Sequence, residues 1–472
     1  MDPRKIHLIG ICGTGMGSLA GLLAEAGHRV RGSDENVYPP ISTMLARQGI
    51  EVMSGYGPSN LDWGPDLVVI GNVISKANPE GEEVLRRGLA YRSFPQAVEE
   101  IFLRERHPVV IVGTHGKTTS SALMAWVLRE AGRDPSWLVG GVLKGEDLSY
   151  HLGKGPHFVI EGDEYETAFF DKGSKFLHYR PRTAILTSVE FDHAEMFRDL
   201  EAVRAAFTAF LSLIPRDGSL VYCADNANVR ALAEKCPAKR IDYGVAEKAT
   251  WVGRTRKTTP DGILFDVFRR NERFASYSSP LTGNHNLQNI LGVTAAASEL
   301  GMGPDEIGKG LASFPGVKRR QEVRGEERGV IVVDDFAHHP TAVRGTIAAL
   351  AERFAGRRLW AVFEPRTNTS RRSVFQGEYA EAFDMADEIV IAAVDRPERV
   401  PEGERFSVER LVEDLRGRGL SARYIPDVES IVLCIGREAR DGDIVLIMSN
   451  GAFGGIHERL LEALRAGPKA RG

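Results

Sequence analysis

The stretch Val109–Thr119, Val-Val-Ile-Val-Gly-Thr-His-Gly-Lys-Thr-Thr, constrains this chain more than any other. Val109 to Val112 form an unbroken β-branched run, the pattern of a parallel strand buried on both faces. The chain then turns through Gly113 and Gly116, and the apolar run from Ala122 to Leu128 reads as a helix. A strand, a glycine turn and a helix start bring backbone N–H groups and a helix N-terminus to one point, which is a cradle for phosphate. Gly113, Thr114, His115, Gly116, Lys117, Thr118 and Thr119 are therefore expected on ATP, with Lys117 at the outer phosphates and Thr118 on Mg²⁺. The loop is short: Thr114 and His115 alone separate its glycines, where the full Walker pattern has about four residues.

The rest of the chain repeats this strand-then-polar-turn grammar, which predicts an α/β protein. A length of 472 residues suggests about three domains, with boundaries expected at 1–107, 108–316 and 317–472. The first opens with the strand Lys5–Ile11, the glycine run Gly10-Ile-Cys-Gly13-Thr-Gly15-Met-Gly17 and a helix to Glu25, then a second strand ending at Ser33-Asp34. This is Rossmann-like, with an acidic residue about 20 positions on that could meet a ribose hydroxyl. Ser18 stands where G-x-G-x-x-G has its last glycine, so a dehydrogenase is a weak reading and a diphosphate-bearing ligand a better one. Leu67–Ile70 is a further strand. Asn72 and Ser75 lie at its carboxyl end, where they could bond a sugar nucleotide or cap the helix starting near Pro79.

In the central part, two strands end in Glu161-Gly-Asp-Glu164 and in Glu190-Phe-Asp192-His193. A carboxylate and an imidazole at one sheet edge could hold metal-bound phosphates, although Mg²⁺ prefers oxygen ligands. Asn284, His285 and Asn289 open an alanine-rich helix and could cap it or read an adenine edge. The third part is read as another doubly wound domain. Its strand ends carry Asp334-Asp335-Phe-Ala-His338-His339, then Glu364-Pro-Arg366-Thr-Asn368-Thr-Ser370-Arg371-Arg372, then Ser449–Gly455. Adjacent residues such as His338 and His339 rarely converge on one metal.

Composition removes other classes. Sixty basic against sixty-four acidic residues, net charge −4, give no case for a nucleic-acid partner. No apolar stretch reaches membrane-spanning length and no signal peptide precedes Ile6, so no membrane partner is expected and a cytoplasmic location is. The four cysteines lack CxxC spacing and read as reduced thiols.

Gly113-Thr-His-Gly-Lys-Thr-Thr, Glu161, Asp192-His193, Asn284-His285-Asn286 and Asp334-Asp335-x-x-His338-His339-Pro340, in that order over almost the whole chain, resemble the ATP-dependent Mur ligases of peptidoglycan synthesis. The resemblance implies a three-domain architecture: a Rossmann-like UDP-sugar domain, a central P-loop ATPase domain and a Rossmann-like domain for the incoming amine. Within the family the chain resembles the branch acting on UDP-N-acetylmuramate. Asn36-Val-Tyr-Pro-Pro40, the segment Ala168–Tyr179 and Ser449–Gly455 favour the members that add the recycled tripeptide L-alanyl-γ-D-glutamyl-meso-diaminopimelate over those that add L-alanine.

Carried over by position, the resemblance implies Thr118, Glu161 and His193 at Mg²⁺, Lys117 and Arg320 at the phosphates, Asn284, His285 and Asn289 at adenine, and Asp335 at the ribose. Gly13, Thr14, Gly15, Ser33, Asp34 and Asn72 would hold the UDP part. For the amine the residues themselves supply the reading: Arg366, Asn368 and Arg371 offer planar donors to a substrate with several carboxylates. Thr208 stands where several relatives carry a carbamylated lysine, so a carbamate-bridged second metal is not expected. The implied reaction activates a carboxylate as an acyl phosphate before the amine attacks. A regulatory P-loop ATPase would leave the first glycine loop idle, and a Rossmann oxidoreductase would leave Lys117 unexplained.

Overall fold

The computed structural model describes residues 2–194, 196–246 and 248–467. Three main sheets are strung along the chain. The first has the order Glu51–Ser54, Arg29–Asp34, Lys5–Ile9, Leu67–Ile70, Tyr91–Ser93, all parallel, with the opening strand in the middle. Chain order therefore reverses direction beside Lys5–Ile9, and the glycine run that follows this strand lies at that switch, where open sheets place ligands.

The second sheet has ten strands and is the largest. Its parallel centre pairs Ser219–Cys223, Thr183–Leu186, His107–Val112, His157–Gly162 and Ser136–Leu138 in that spatial order. Val109 to Val112 are wholly buried, as a strand covered on both faces requires. The helices Lys117–Glu130 and Asn284–Glu299 pack against it through Leu123, Val127, Leu287 and Leu291. At one edge, Trp251–Thr259, Gly262–Arg269 and Glu272–Ser279 continue the sheet as an antiparallel meander. The strand-and-helix reading of the sequence passed over this meander. At the other side a hairpin, Glu166–Ala168 with Asp171–Ser174, projects from the segment 163–179 and packs Phe170 edge-on against Tyr91 of the first sheet, with ring centroids 4.9 Å apart.

The third sheet runs Glu322–Glu327, Val330–Asp335, Ile444–Met448, Leu359–Phe363, Glu388–Ile391, Ala422–Tyr424, antiparallel at its first pair and parallel beyond. Apolar clusters fill both of its faces. The architecture is thus three α/β bodies with parallel sheets, and the strand ends carrying the polar motifs turn toward one another. No helix among the described residues is long and apolar enough to cross a membrane. All four cysteines are free thiols.

Candidate active site

The phosphate loop is shaped from beneath by its neighbouring strand. Gly113 has φ +137° and Gly116 φ +81°. A Cβ on Gly113 would collide with Thr187 Oγ1 and lie 2.8 Å from the Ser188 nitrogen; one on Gly116 would run into Asn289 Oδ1. Thr114 N–H donates to the Ser188 carbonyl and His115 N–H to Ser188 Oγ, both at 2.9 Å. With the loop fixed, Lys117 Nζ donates to the Gly113 carbonyl at 2.6 Å and to Glu164 Oε2 at 2.8 Å. Burial alone would push this ammonium toward the neutral amine, but the carboxylates of Glu164, Asp163 and Glu161 outweigh it and raise its pKa.

Thr118 Oγ1 donates to Glu161 Oε1 at 3.0 Å, and Gly140 N–H to the other oxygen of Glu161 at 2.8 Å. Burial, followed by the nearby charge of Asp163, pushes the Glu161 carboxyl above its ordinary range. His193 Nε2 lies 3.6 Å from Glu164 Oε1. From the third domain's side, Arg320 reaches back and donates to Thr118 Oγ1 at 3.3 Å. Lys117, Thr118, Glu161, His193 and Arg320 therefore share one corner. The crowded carboxylates and the Thr118 hydroxyl form the oxygen-rich donor set that suits Mg²⁺. Glu164 had no assigned role in the sequence reading. Its signal was the carboxylate run at the end of the strand His157–Gly162.

The first glycine loop is built differently. Gly10 has φ +83°, and its N–H and that of Ile11 donate to the Ser33 carbonyl at 2.8 and 3.1 Å. Both oxygens of Asp34 accept backbone N–H groups, from Cys12 at 2.9 Å and Asn36 at 2.8 Å. Ser33 Oγ donates to Glu80 Oε2 at 2.6 Å in a buried cluster that includes His7. Ser33 and Asp34 thus brace the loop from inside, and Gly13, Thr14, Gly15 and Asn72 face open space. Asn78 caps the helix Pro79–Arg87 through Glu80 N–H and Gly81 N–H, so Asn72 and Ser75 play no part in that cap.

That open space is a cavity of about 390 Å³ lined by Gly13, Thr14, Gly15 and Asn72 on one side and by Gly140, Glu161, Asp163, Tyr165 and Lys175 on the other. It runs from the first glycine loop to the carboxylate beside the phosphate loop. Lys175 is held there 3.7 Å from Asp163 Oδ2, with its ammonium over the Tyr165 ring at 4.1 Å. Ser18, at the position of the missing glycine, bonds Ser149 Oγ of the central body at 2.7 Å.

Of the residues expected at adenine and ribose, His285 and Asp335 meet at Gln321, which the sequence reading did not single out. Gln321 N–H donates to Asp335 Oδ2 at 2.8 Å, its side-chain nitrogen lies 3.3 Å from His285 Nε2, and its oxygen accepts from Thr282 Oγ1 at 3.0 Å. Asp335 also accepts from Ala337 N–H at 2.8 Å, so its carboxylate holds the turn that carries Arg320. Asn289 lies against Gly116 and bonds Asn286, while Asn284 is exposed at the helix start.

In the third domain, Arg366 lies over Gly451, where a Cβ would come within 2.6 Å of its Cδ. Its guanidinium is 3.6 Å from Glu364 and 3.9 Å from Asp395, and it remains partly exposed. Asn368 is exposed beside it. Arg371 is placed differently from Arg366. It is 5% exposed and spends its guanidinium on Asp395, at 2.9 Å to the carboxylate and 2.6 Å to the carbonyl. Its Nη1 also donates to Asn368 Oδ1 at 3.2 Å, and the tight turn closed by Arg371 N–H to the Thr367 carbonyl at 3.0 Å carries the side chain inward.

The third domain is seated on the strand-end segment 190–193. Thr369 Oγ1 donates to Asp192 Oδ1 and Thr341 Oγ1 to Glu190 Oε2, both at 2.7 Å. His338 and His339 part here, the first toward Asp192 and the second toward Glu190.

Comparison with known proteins agrees with this layout body by body. Residues 5–106 match the model of the Mur ligase family catalytic domain, 111–297 the Mur ligase middle domain and 319–451 the Mur ligase glutamate ligase domain. The chain is 41% identical, over 98% of both lengths, to the UDP-N-acetylmuramate–L-alanyl-γ-D-glutamyl-meso-2,6-diaminoheptandioate ligase of Escherichia coli K12. It is 32% identical, over 98% of this chain and 97% of the relative, to the UDP-N-acetylmuramate–L-alanine ligase of Acetivibrio thermocellus. The crystal structure of a murein peptide ligase from Psychrobacter arcticus superposes with a TM-score of 0.72 at 36% identity, over 99% of this chain and all of that one. A lysine-bearing phosphate loop, a second glycine loop joined to it by one cavity, and full-length identity of this order lead to one assignment: the chain belongs to the Mur ligase family of ATP-dependent, C–N bond-forming ligases.

Proposed function

We propose that this chain joins the carboxylate of UDP-N-acetylmuramate to the amine of L-alanyl-γ-D-glutamyl-meso-diaminopimelate, with ATP cleaved to ADP and phosphate, as a step of peptidoglycan recycling in the cytoplasm. The observation that carries the reading is the single cavity from Gly13–Gly15 to Glu161. A diphosphate held on the N–H groups of the first loop extends its sugar and carboxylate along this cavity toward the phosphates held by Lys117. The margin between the tripeptide-ligase relative at 41% and the alanine-ligase relative at 32% identity supports the choice of amine.

The labour divides by body: residues 1–107 take the sugar nucleotide, 108–316 take ATP, and 317–472 bring the amine. Thr118, Glu161 and His193 are the residues that would hold Mg²⁺, whose charge offsets that of the transferring phosphoryl group. Lys117 meets the same charge, and Arg320 adds to it from the third domain. A carboxylate is a poor electrophile toward an amine at neutral pH. Placing it in line with the γ-phosphate makes an acyl phosphate, and the amine then displaces phosphate through a tetrahedral adduct. An acyl phosphate hydrolyses in water, so the reading requires the third domain to shield it during the reaction. Arg366 and Asn368 are the residues assigned to the peptide's carboxylates; Arg371 supports them through Asp395.

The test is kcat/KM for the tripeptide against free L-alanine, at saturating ATP and UDP-N-acetylmuramate. The reading requires the tripeptide to win by at least about 10²-fold, the scale set by losing two charge-assisted contacts. Preference for free L-alanine would move the chain to the other branch of the family.

A further inference from the structure

Where the third domain rests on the central one, metal-ligating side chains from three separate segments meet. His115 belongs to the phosphate loop, Glu190 to the segment beyond the strand Thr183–Leu186, and His339 to the cap of the helix Pro340–Arg353. One ligand atom of each lies within 4.8 Å of the other two. His115 Nε2 is 3.3 Å and His339 Nδ1 3.8 Å from the same oxygen, Glu190 Oε2, and the two imidazole centroids are 4.7 Å apart. None of these residues belongs to the Thr118, Glu161 and His193 set.

An ordinary ion-pair cluster explains part of this but leaves a residue. His339 is buried; its Nδ1, the ring nitrogen nearest Glu190, takes only a long 3.3 Å contact from Thr341 N–H, and its Nε2 has no hydrogen-bond partner, a condition rare among buried polar atoms. The backbone that carries His115 and Glu190 is also fixed, and the Glu190 and His339 side chains each have a neighbour that holds them. His115 N–H is held by Ser188 Oγ at 2.9 Å, and Glu190 N–H donates to Thr114 Oγ1 at 2.9 Å. Thr341 Oγ1 donates to Glu190, and the His339 ring stands edge-on to Phe375 at 4.7 Å. His115 and Glu190 keep 23% and 29% of their side-chain surface exposed, so an ion has a way in.

We propose that His115, Glu190 and His339 form a site for a zinc-class transition ion, and that an ion bound there ties the phosphate loop to the third domain. Two imidazoles and one carboxylate are a zinc donor set with the fourth position open to water. Mg²⁺, which dehydrates reluctantly and prefers oxygen, does not compete well for imidazole pairs. Each ligand comes from a different segment and His339 alone from the third domain, so only the seated arrangement assembles the full set. Binding does not depend on which amine the enzyme uses.

The test uses the full-length, chelator-stripped protein without nucleotide, in millimolar Mg²⁺. Zn²⁺ is titrated by calorimetry, and Co²⁺ serves as the spectroscopic probe. One ion per chain is expected, with ligand-field bands of a low-coordinate nitrogen–oxygen site and an upward shift of the melting temperature on binding. His339→Gln and Glu190→Gln, each checked for native circular dichroism, should each weaken Zn²⁺ binding by about tenfold or more. If one variant fails to fold, the other decides. Three results would overturn the proposal: no Zn²⁺ binding in the presence of Mg²⁺, a thiolate-to-cobalt band placing the ion on a cysteine, or unchanged affinity in the folded variants.

Discussion

The two glycine loops of this molecule begin alike and end differently. Each follows a buried parallel strand and opens a helix, and each offers backbone N–H groups at the carboxyl edge of its sheet. In the phosphate loop the glycines are demanded from inside: Gly113 and Gly116 take positive φ, and a methyl on either would strike Thr187, Ser188 or Asn289. In the first loop Gly13 and Gly15 meet nothing closer than ordinary van der Waals contact, the nearest atoms being Gly10 O at 3.5 Å and Phe94 Cε2 at 3.6 Å. Their bare backbone faces the cavity. The surroundings differ as well. Lys117, Glu161, Glu164 and Arg320 converge on the second loop, while the carboxylate near the first, Asp34, is consumed by Cys12 and Asn36 N–H groups. A strand–glycine–helix unit therefore supplies anion affinity in general, and charged side chains from neighbouring strand ends decide whether it binds a phosphate or transfers one.

The comparison breaks first at Lys117. Lys117→Ala should lower ligase turnover by ~10²-fold or more, because the ammonium meets charge that shifts during phosphoryl transfer, and it should lower the thermal midpoint as well, since Glu164 is left buried without its ion pair. A folded variant turning over within a few-fold of the parent would reduce the second loop to the status of the first. Next in size is Gly113→Ala. Positive φ and the clash with Ser188 should together cost about 2–4 kcal/mol of stability, seen as a lower thermal midpoint. An unchanged midpoint would mean that the loop relaxes freely and that its glycine is not required from within.

The strand ends were the legible part of the sequence. Val109–Val112, Leu67–Ile70 and Leu359–Phe363 are short β-branched or apolar runs followed at once by glycine or charge, and each is a buried central strand. The meander 251–279 escaped because its strands mix charged and apolar residues along a half-exposed sheet edge, where the apolar run is broken. Site residues were legible where a motif fixes them, as with Lys117 and Glu161. They were not where a distant partner does. Arg371 turns inward because Asp395, 24 residues on, receives it. Gln321 matters because Asp335 reaches it from one segment and Thr282 and His285 from another. No local pattern encodes such convergence.

Two smaller changes sharpen the contrast. Glu161→Gln keeps the shape of the carboxylate that bonds Thr118 and Gly140 and removes its charge. The Mg²⁺ concentration giving half-maximal turnover should rise by about 10–100-fold, with His193→Gln shifting it the same way. Parent-like midpoints in both variants would remove these residues from the metal.

Gly15→Ala carries the smallest effect and the clearest sign. Gly15 is the second residue of the helix Thr14–Glu25, where alanine is intrinsically favoured over glycine by up to about 1 kcal/mol. The added methyl would sit 3.6 Å from Phe94 Cε2, so nothing in the protein has to move. Stability should therefore hold or rise slightly, opposite in sign to Gly113→Ala. The methyl faces the cavity, and with the diphosphate bound as proposed KM for UDP-N-acetylmuramate should rise by about tenfold, with KM for ATP unchanged. A rise in KM for ATP instead would mean that the two loops share one ligand. If neither KM moves in a variant of parent-like stability, the sugar nucleotide does not approach along this loop, and the resemblance between the two loops ends with their backbone.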